Sequence, residues 1–182
     1  LALLAEAADI LGAAHARLVI HGDLKAANVL VDGRFRAKIA DFGLSAKKKC
    51  LGASGTPYWM APELLRRESG NSAESDVYSF GIILYELFSR KDPYEGEDPT
   101  SVLDRVVDKK INLRPPVPEG CPMRIAEIMK ECVDGNPEKR PTFEEIDLRI
   151  KRLDSVNVEP VAEIKLGHRI PKKKYSNEQD LI

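Results

Sequence analysis

The sequence predicts a mainly α-helical fold that carries one short β-hairpin, and three observations lead there. Ser75 to Ser89 is almost unbroken in apolar and aromatic residues, so a helix over it must be buried on most of its faces. Apolar residues recur at helical spacing before and after that stretch. Only around Asp32-Gly33 do two short β-branched or apolar runs flank a tight-turn signal.

In chain order, Leu3, Leu4, Ala7, Ala8, Leu11 and Ala14 predict an amphipathic helix ending near His15, with His15 as a packing or capping residue. Val19-Ile20 and Val29-Leu30-Val31 are short enough for strands, and Arg36 to Ala40 completes the hairpin. Leu44 to Lys49 reads as a solvated loop. In the Ser75–Ser89 helix, Asp76 is an acid in a buried setting at the helix start, where it can serve as N-cap. Lys91-Asp92-Pro93-Tyr94 ends that helix, and Pro99 opens another bearing Val102, Leu103, Val106 and Val107. Arg114-Pro115-Pro116-Val117-Pro118 is too proline-rich for helix or central strand and reads as an ordered connector or a polyproline turn. Ile125, Ile128, Met129 and Cys132 mark the next helix. Thr142 and Glu145 form a capping box for the last, which buries Ile146, Ile150 and Leu153. Beyond about Asp154 the period is lost and Lys165 to Tyr175 is basic. Residues 1–154 therefore read as one domain, and 155–182 as a flexible basic linker or tail.

A chain of 182 residues can bury one sizeable core, and its net charge of -1 argues against nucleic acid or a membrane surface as partner. The three cysteines form no Cys-x-x-Cys pair, which suits a reducing compartment, with Cys132 in the core and Cys50 in a loop. No apolar run reaches membrane-spanning length, and the first residues lack the charged flank expected of a signal peptide. The expected location is the cytoplasm, or the cytoplasmic part of a longer membrane-bound chain. The first residues lie inside a helix already under way, so the sequence reads as a fragment.

The chemistry concentrates in His21-Gly22-Asp23-Leu24-Lys25-Ala26-Ala27-Asn28, answered by Asp41-Phe42-Gly43. Singly, each is an ordinary turn. Together they supply what phosphoryl transfer requires. Asp23 is a carboxylate to orient an attacking hydroxyl, Lys25 a cation for the moving phosphate, and Asn28 and Asp41 are oxygen ligands for Mg²⁺.

This arrangement resembles the catalytic and metal-binding loops of eukaryotic protein kinases. Gly55 to Glu63 is similar to the end of a kinase activation segment, Ser75 to Gly81 to the buried helix after it, and Asn136 to Pro141 to a further family block. The resemblance covers roughly residues 1–153 and implies the helical C-terminal lobe of a kinase of the tyrosine-kinase-like group, acting on Ser or Thr. It implies that Lys25, Asn28, Leu30 and Asp41 contact ATP, with Val29 to Val31 under the adenine, and that His21 and Phe42 join an apolar stack linking two lobes. It places Thr56 and Trp59 at the acceptor site, pairs Glu63 with Arg140, and gives Asp76 the backbone N–H groups of the catalytic loop.

The sequence departs from the family at Gly22, where an Arg that grips an activation-segment phosphate is usual. It also lacks the glycine-rich loop, strand lysine and hinge of an N-terminal lobe. The resemblance thus implies that this lobe acts in cis, that the partner is a protein substrate, and that the fragment is inactive alone. A second expectation is a kinase-like regulatory module joined to an output domain such as a nucleotide cyclase. The connector around Pro115 to Pro118 is the sole basis for a third, an interaction scaffold.

Overall fold

A computed structural model describes residues 1–42 and 57–156 of the chain. Helix α1, Ala2–His15, turns Leu4, Ala5, Ala7, Ala8 and Leu11 inward, as its apolar spacing dictates. It unwinds where the N–H of Val19 donates back to the carbonyl of Ala14 (2.9 Å). That helix-exit bond claims Val19, so Val19-Ile20 is not the strand expected from its side chains.

Strands β1, Val29–Val31, and β2, Ala37–Ile39, pair antiparallel with Val29 opposite Ile39 and Val31 opposite Ala37. Asp32 shapes their turn: its carboxylate accepts the N–H groups of Arg34 (2.8 Å) and Arg36 (3.0 Å). Those bonds favour the charged form and hold the Asp32 carboxyl below its ordinary value.

A single-turn helix that the sequence pattern does not announce, α2 (Pro62–Leu65), opens with proline at its first position, where no N–H is needed. Helix α3 spans Ala73–Ser89, two residues earlier than its apolar run. Ser72 is its N-cap, and the pair is reciprocal: Ser75 N–H donates to Ser72 Oγ (3.2 Å) and Ser72 N–H to Ser75 Oγ (2.9 Å). Asp76 is therefore not the cap, and its carboxylate is available elsewhere. Every residue from Ser75 to Tyr85 is buried. Helix α4, Pro99–Val107, is capped by Asp98, and α5 covers Met123–Cys132. The capping box expected at Thr142 and Glu145 is present, with Glu145 N–H on Thr142 Oγ1 (3.2 Å) and Thr142 N–H on Glu145 Oε2 (2.7 Å). Helix α6 then runs Phe143–Val156, two residues past the boundary drawn at Asp154.

Helix α3 lies at the centre, with α5 across it, α6 on α1, and the hairpin on α1. The main core joins Leu11, Phe80, Leu84, Ile128, Ile146 and Ile150, each at most 1% exposed. Burying such a side chain contributes about 1.5–3 kcal/mol. Phe80 also meets Phe143 edge to face at 5.3 Å. A second cluster seats Met60, Ala61 and Leu64 on Tyr78, Ile82 and Val133, which fastens the chain just before α2 to the central helix. Among the described residues no helix is long and apolar enough to cross a membrane.

Packing is close at Gly81, where an added Cβ would lie 2.7 Å from Val133 Cγ1 and 2.8 Å from Cys132 Cβ. Neither neighbour is a flexible tip, so α3 and α5 would have to separate. Gly81→Ala should destabilise the fold by about 1–3 kcal/mol, whereas Gly33→Ala, with nothing within 4 Å of the added carbon, should have little effect. Urea midpoints of the two variants check this.

Candidate active site

The loop from His21 to Asn28 is shaped from beneath by Asp76, which is 1% exposed. Its Oδ2 accepts the N–H of His21 (2.7 Å) and its Oδ1 that of Gly22 (2.8 Å). His15 donates from Nε2 to Oδ2 at 3.0 Å, so the end of α1 also bonds to this carboxylate while its ring packs 5.1 Å from Phe143. Gly22 sits at φ 79°, a left-handed conformation that costs a residue with a Cβ about 1–2 kcal/mol.

His21 carries the loop to the hairpin. Its ring donates from Nε2 to the carbonyl of Ala40 (2.9 Å), and Nδ1 accepts the N–H of Asp23 (3.2 Å). One neutral tautomer, protonated on Nε2, satisfies both bonds. The N–H of Ala40 in turn donates to the carbonyl of Asn28 (2.8 Å). Ala40, the residue before Asp41, thus ties His21 to Asn28.

Four polar groups project from this framework. Lys25 Nζ lies 3.3 Å from Asp23 Oδ2. Asn28 donates its amide N–H to the carbonyl of Asp23 (2.8 Å), leaving the side-chain oxygen as the atom a metal would take. Asp41 is exposed, at φ 62°, and the following Phe42 packs its ring 4.8 Å from that of His21. Leu30, on β1, is 50% exposed.

On the other side of α3, Arg140 grips Glu63 through two parallel bonds, Nη1 to Oε1 (2.7 Å) and Nη2 to Oε2 (2.8 Å). The guanidinium is otherwise spent on the carbonyls of Asp134 and Glu74 and lies 5.2 Å over the Tyr78 ring. Arg114 occupies the same ring at 5.3 Å and donates to the carbonyl of Val133 (2.6 Å). Burial pushes the Tyr78 hydroxyl up, so its ring remains neutral.

Trp59, in the turn Pro57–Trp59, is held at both ends: its carbonyl accepts the Ser79 hydroxyl (2.7 Å) and its indole N–H donates to Glu86 (2.8 Å). Thr56, Gly43, Cys50, and the residues 44–49 and 54 that carry the lysines and serines of this segment, lie outside the described residues. Sequence reasoning missed Ser79, Glu86 and the bond of His15 to Asp76. The spacing of Asp76, Ser79 and Glu86 along one helix face was the available signal for the first two.

The sequence model of protein tyrosine and serine/threonine kinases matches residues 2–150. The chain belongs to that family. It is 41% identical over 141 residues to a probable serine/threonine-protein kinase, drkA, of Dictyostelium discoideum, covering 76% of this chain and 22% of that protein. A serine/threonine/tyrosine-protein kinase of Arabidopsis thaliana, HT1, is 40% identical over 144 residues, 77% of this chain and 36% of its own length. The dual specificity protein kinase shkC of Dictyostelium discoideum is 38% identical over 169 residues, 89% of this chain and 32% of its own. The chain thus spans about a third of these relatives' length, or less.

Removing one member of the Glu63–Arg140 pair leaves the other charged and dry. Arg140→Met should therefore cost about 3–5 kcal/mol, and adding Glu63→Gln should recover a large part. Denaturant unfolding of both single variants and the double variant closes the cycle.

Proposed function

We propose that these residues form the helical half of an ATP-dependent protein kinase that phosphorylates Ser or Thr hydroxyls. One observation carries the reading: Asp23, Lys25, Asn28 and the residue preceding Asp41 are bound into one framework by Asp76, His21 and Ala40. Asp23 then orients the acceptor hydroxyl and takes up its proton, while Lys25 stays beside the transferred phosphate. The family's ATP and Mg²⁺ fit the donor set. Asn28 and Asp41 offer two oxygens, and Mg²⁺ characteristically takes few protein ligands and completes its shell with phosphate oxygens and water. When bound, it would neutralise the charge that builds on the phosphates. Leu30 supplies an apolar surface for the base of the nucleotide, and His21 with Phe42 belongs to the apolar stack that links the two lobes.

The sequence holds no glycine-rich phosphate loop. In this reading that loop comes from a lobe outside the 182 residues, which alone are inactive. A regulatory module coupled to an output domain is the second reading, and the complete set of four polar groups disfavours it, because a non-catalytic module needs none of them.

The full-length protein, given ATP, Mg²⁺ and mixed peptides, should yield mainly phosphoserine and phosphothreonine, and Asp23→Asn and Asp41→Asn should each abolish the reaction. Asp41→Asn should also weaken Mg²⁺-ATP binding, which Asp23→Asn should leave nearly unchanged. Mainly phosphotyrosine, or an equal loss of nucleotide affinity in both variants, would refute this reading.

Gly22 has a second consequence. It offers no cation to a phosphate on the activation segment, an interaction otherwise worth about 1.5–3 kcal/mol per charge-assisted bond. Phosphatase treatment of the full-length protein, with mass spectrometry confirming bare Ser45, Ser54 and Thr56, should lower activity by less than about tenfold.

A further inference from the structure

Helices α5 and α6 meet along a trough that has no part in the chemistry described above. Arg149, in the middle of α6, donates to both carboxylate oxygens of Glu131, in the last turn of α5. Arg124, in the first turn of α5, lines a hollow of about 330 Å³ with Glu127, Ile128, Arg149, Arg152 and Leu153. The two helices therefore run in opposite senses along the trough. A second hollow, of about 670 Å³, shares Arg149 and Arg152 and continues past Leu148 to Glu145 and Thr142. Leu148 is 49% exposed there.

Charge is ordered along this trough. At the end near Leu153, Arg124, Arg149 and Arg152 outnumber Glu127. Toward the other end stand Glu131, Glu138 and Glu145, and the cations beyond the two shared arginines are Lys139 and Arg140, the second of which is bound to Glu63.

The described residues end with α6 at Val156, one helical turn beyond Leu153. Helical spacing stops in the sequence there and a period of two replaces it. Val156, Val158, Pro160, Ala162, Ile164 and Leu166 are apolar, and Asn157, Glu159, Glu163 and Lys165 stand between them, with Val161 the one break. The charges of this stretch are ordered too: Glu159 and Glu163 come first, then Lys165, His168 and Arg169.

We propose that the trough between α5 and α6 is a docking site for this chain's own segment, residues 161–166, which folds back along α6 as an extended strap. Successive side chains of an extended segment point to opposite sides, so Ala162, Ile164 and Leu166 turn inward together and cover Leu148. Residues 157–160 include Asn157 and Pro160, two residue types that favour turns, and reverse the chain. The reach fits. Thr142 to Leu153 is about 16 Å of helix, and Val161 to Leu166 spans about 16 Å when extended. The direction fits as well, because a strap that starts beside Leu153 brings Glu163 to the arginine end and Lys165 onward to the glutamates. None of the trough residues is among the groups assigned to phosphoryl transfer, so the proposal does not rest on the kinase reading.

Leu148→Cys in the full-length protein places a thiol in the trough at a partly exposed position that tolerates the change. Its alkylation by iodoacetamide, followed by mass spectrometry of the peptide that carries it, reads whether the trough is covered. Ile164→Asp should speed that alkylation about tenfold, since the covered state then opens more readily. Arg152→Glu should speed it by a similar factor, and adding Glu163→Arg should restore the slow rate. Alkylation should not depend on protein concentration. Equal rates with and without Ile164→Asp, whether fast or slow, overturn the strap. A rate that slows as protein concentration rises assigns the trough to a second copy and overturns it too. Failure of Glu163→Arg to restore the slow rate overturns the direction assigned to it.

Discussion

One buried carboxylate constrains the rest of this molecule. Asp76, almost without access to water, must find donors, because an uncompensated buried charge costs several kcal/mol. The donors it finds are the amides of His21 and Gly22 and the ring of His15. Satisfying Asp76 therefore turns the loop at Gly22 into a left-handed conformation and brings the end of α1 to the start of α3. The path of the chain up to Asp23 follows from that demand. Glycine at this bend adopts the conformation without strain, so the loop's shape does not depend on a side chain at position 22.

Helix α3 turns this local constraint into a long-range one. From Ser75 to Tyr85 every residue is buried, so the helix cannot rotate or shift without opening the core. One face carries Asp76 to the amides of His21 and Gly22, and Ser79 and Glu86 to Trp59. Another presents Tyr78 to the Arg114 and Arg140 guanidinia, one of which holds Glu63. Side chains on a rigid helix position loops more closely than loops position themselves. The close approach at Gly81 belongs to the same design, since it lets α5 lie directly against the helix from which both sets of contacts project.

The hairpin completes the framework through the backbone of Ala40. Ala40 offers its carbonyl to His21 and its N–H to the carbonyl of Asn28, so the strand pair and the loop are tied at one residue. Neither bond depends on the side chain at position 40. The polar residues on either side, Asn28 and Asp41, are thereby positioned by geometry rather than by charges of their own.

The sequence by itself determined the longer helices, the hairpin and the spacing of Asp23, Lys25, Asn28 and Asp41. Each is written in local period or spacing: apolar residues every three or four positions, β-branched runs about Asp32-Gly33, and polar groups two, three and thirteen residues apart. Helix α2 escaped because one turn is too short to show a period, and Val19-Ile20 misled because strand-like side chains say nothing of where a backbone N–H is spent. Only the tertiary structure decided which of its two readings Asp76 took. Ser72 caps the helix, and the aspartate's partners lie 54 and 55 residues away. The bonding of Glu63 with Arg140 spans 77 residues, and that of Trp59 with Glu86 spans 27. A buried charge selects partners by proximity in space and by the lack of water, and neither quantity has a local signature in the chain.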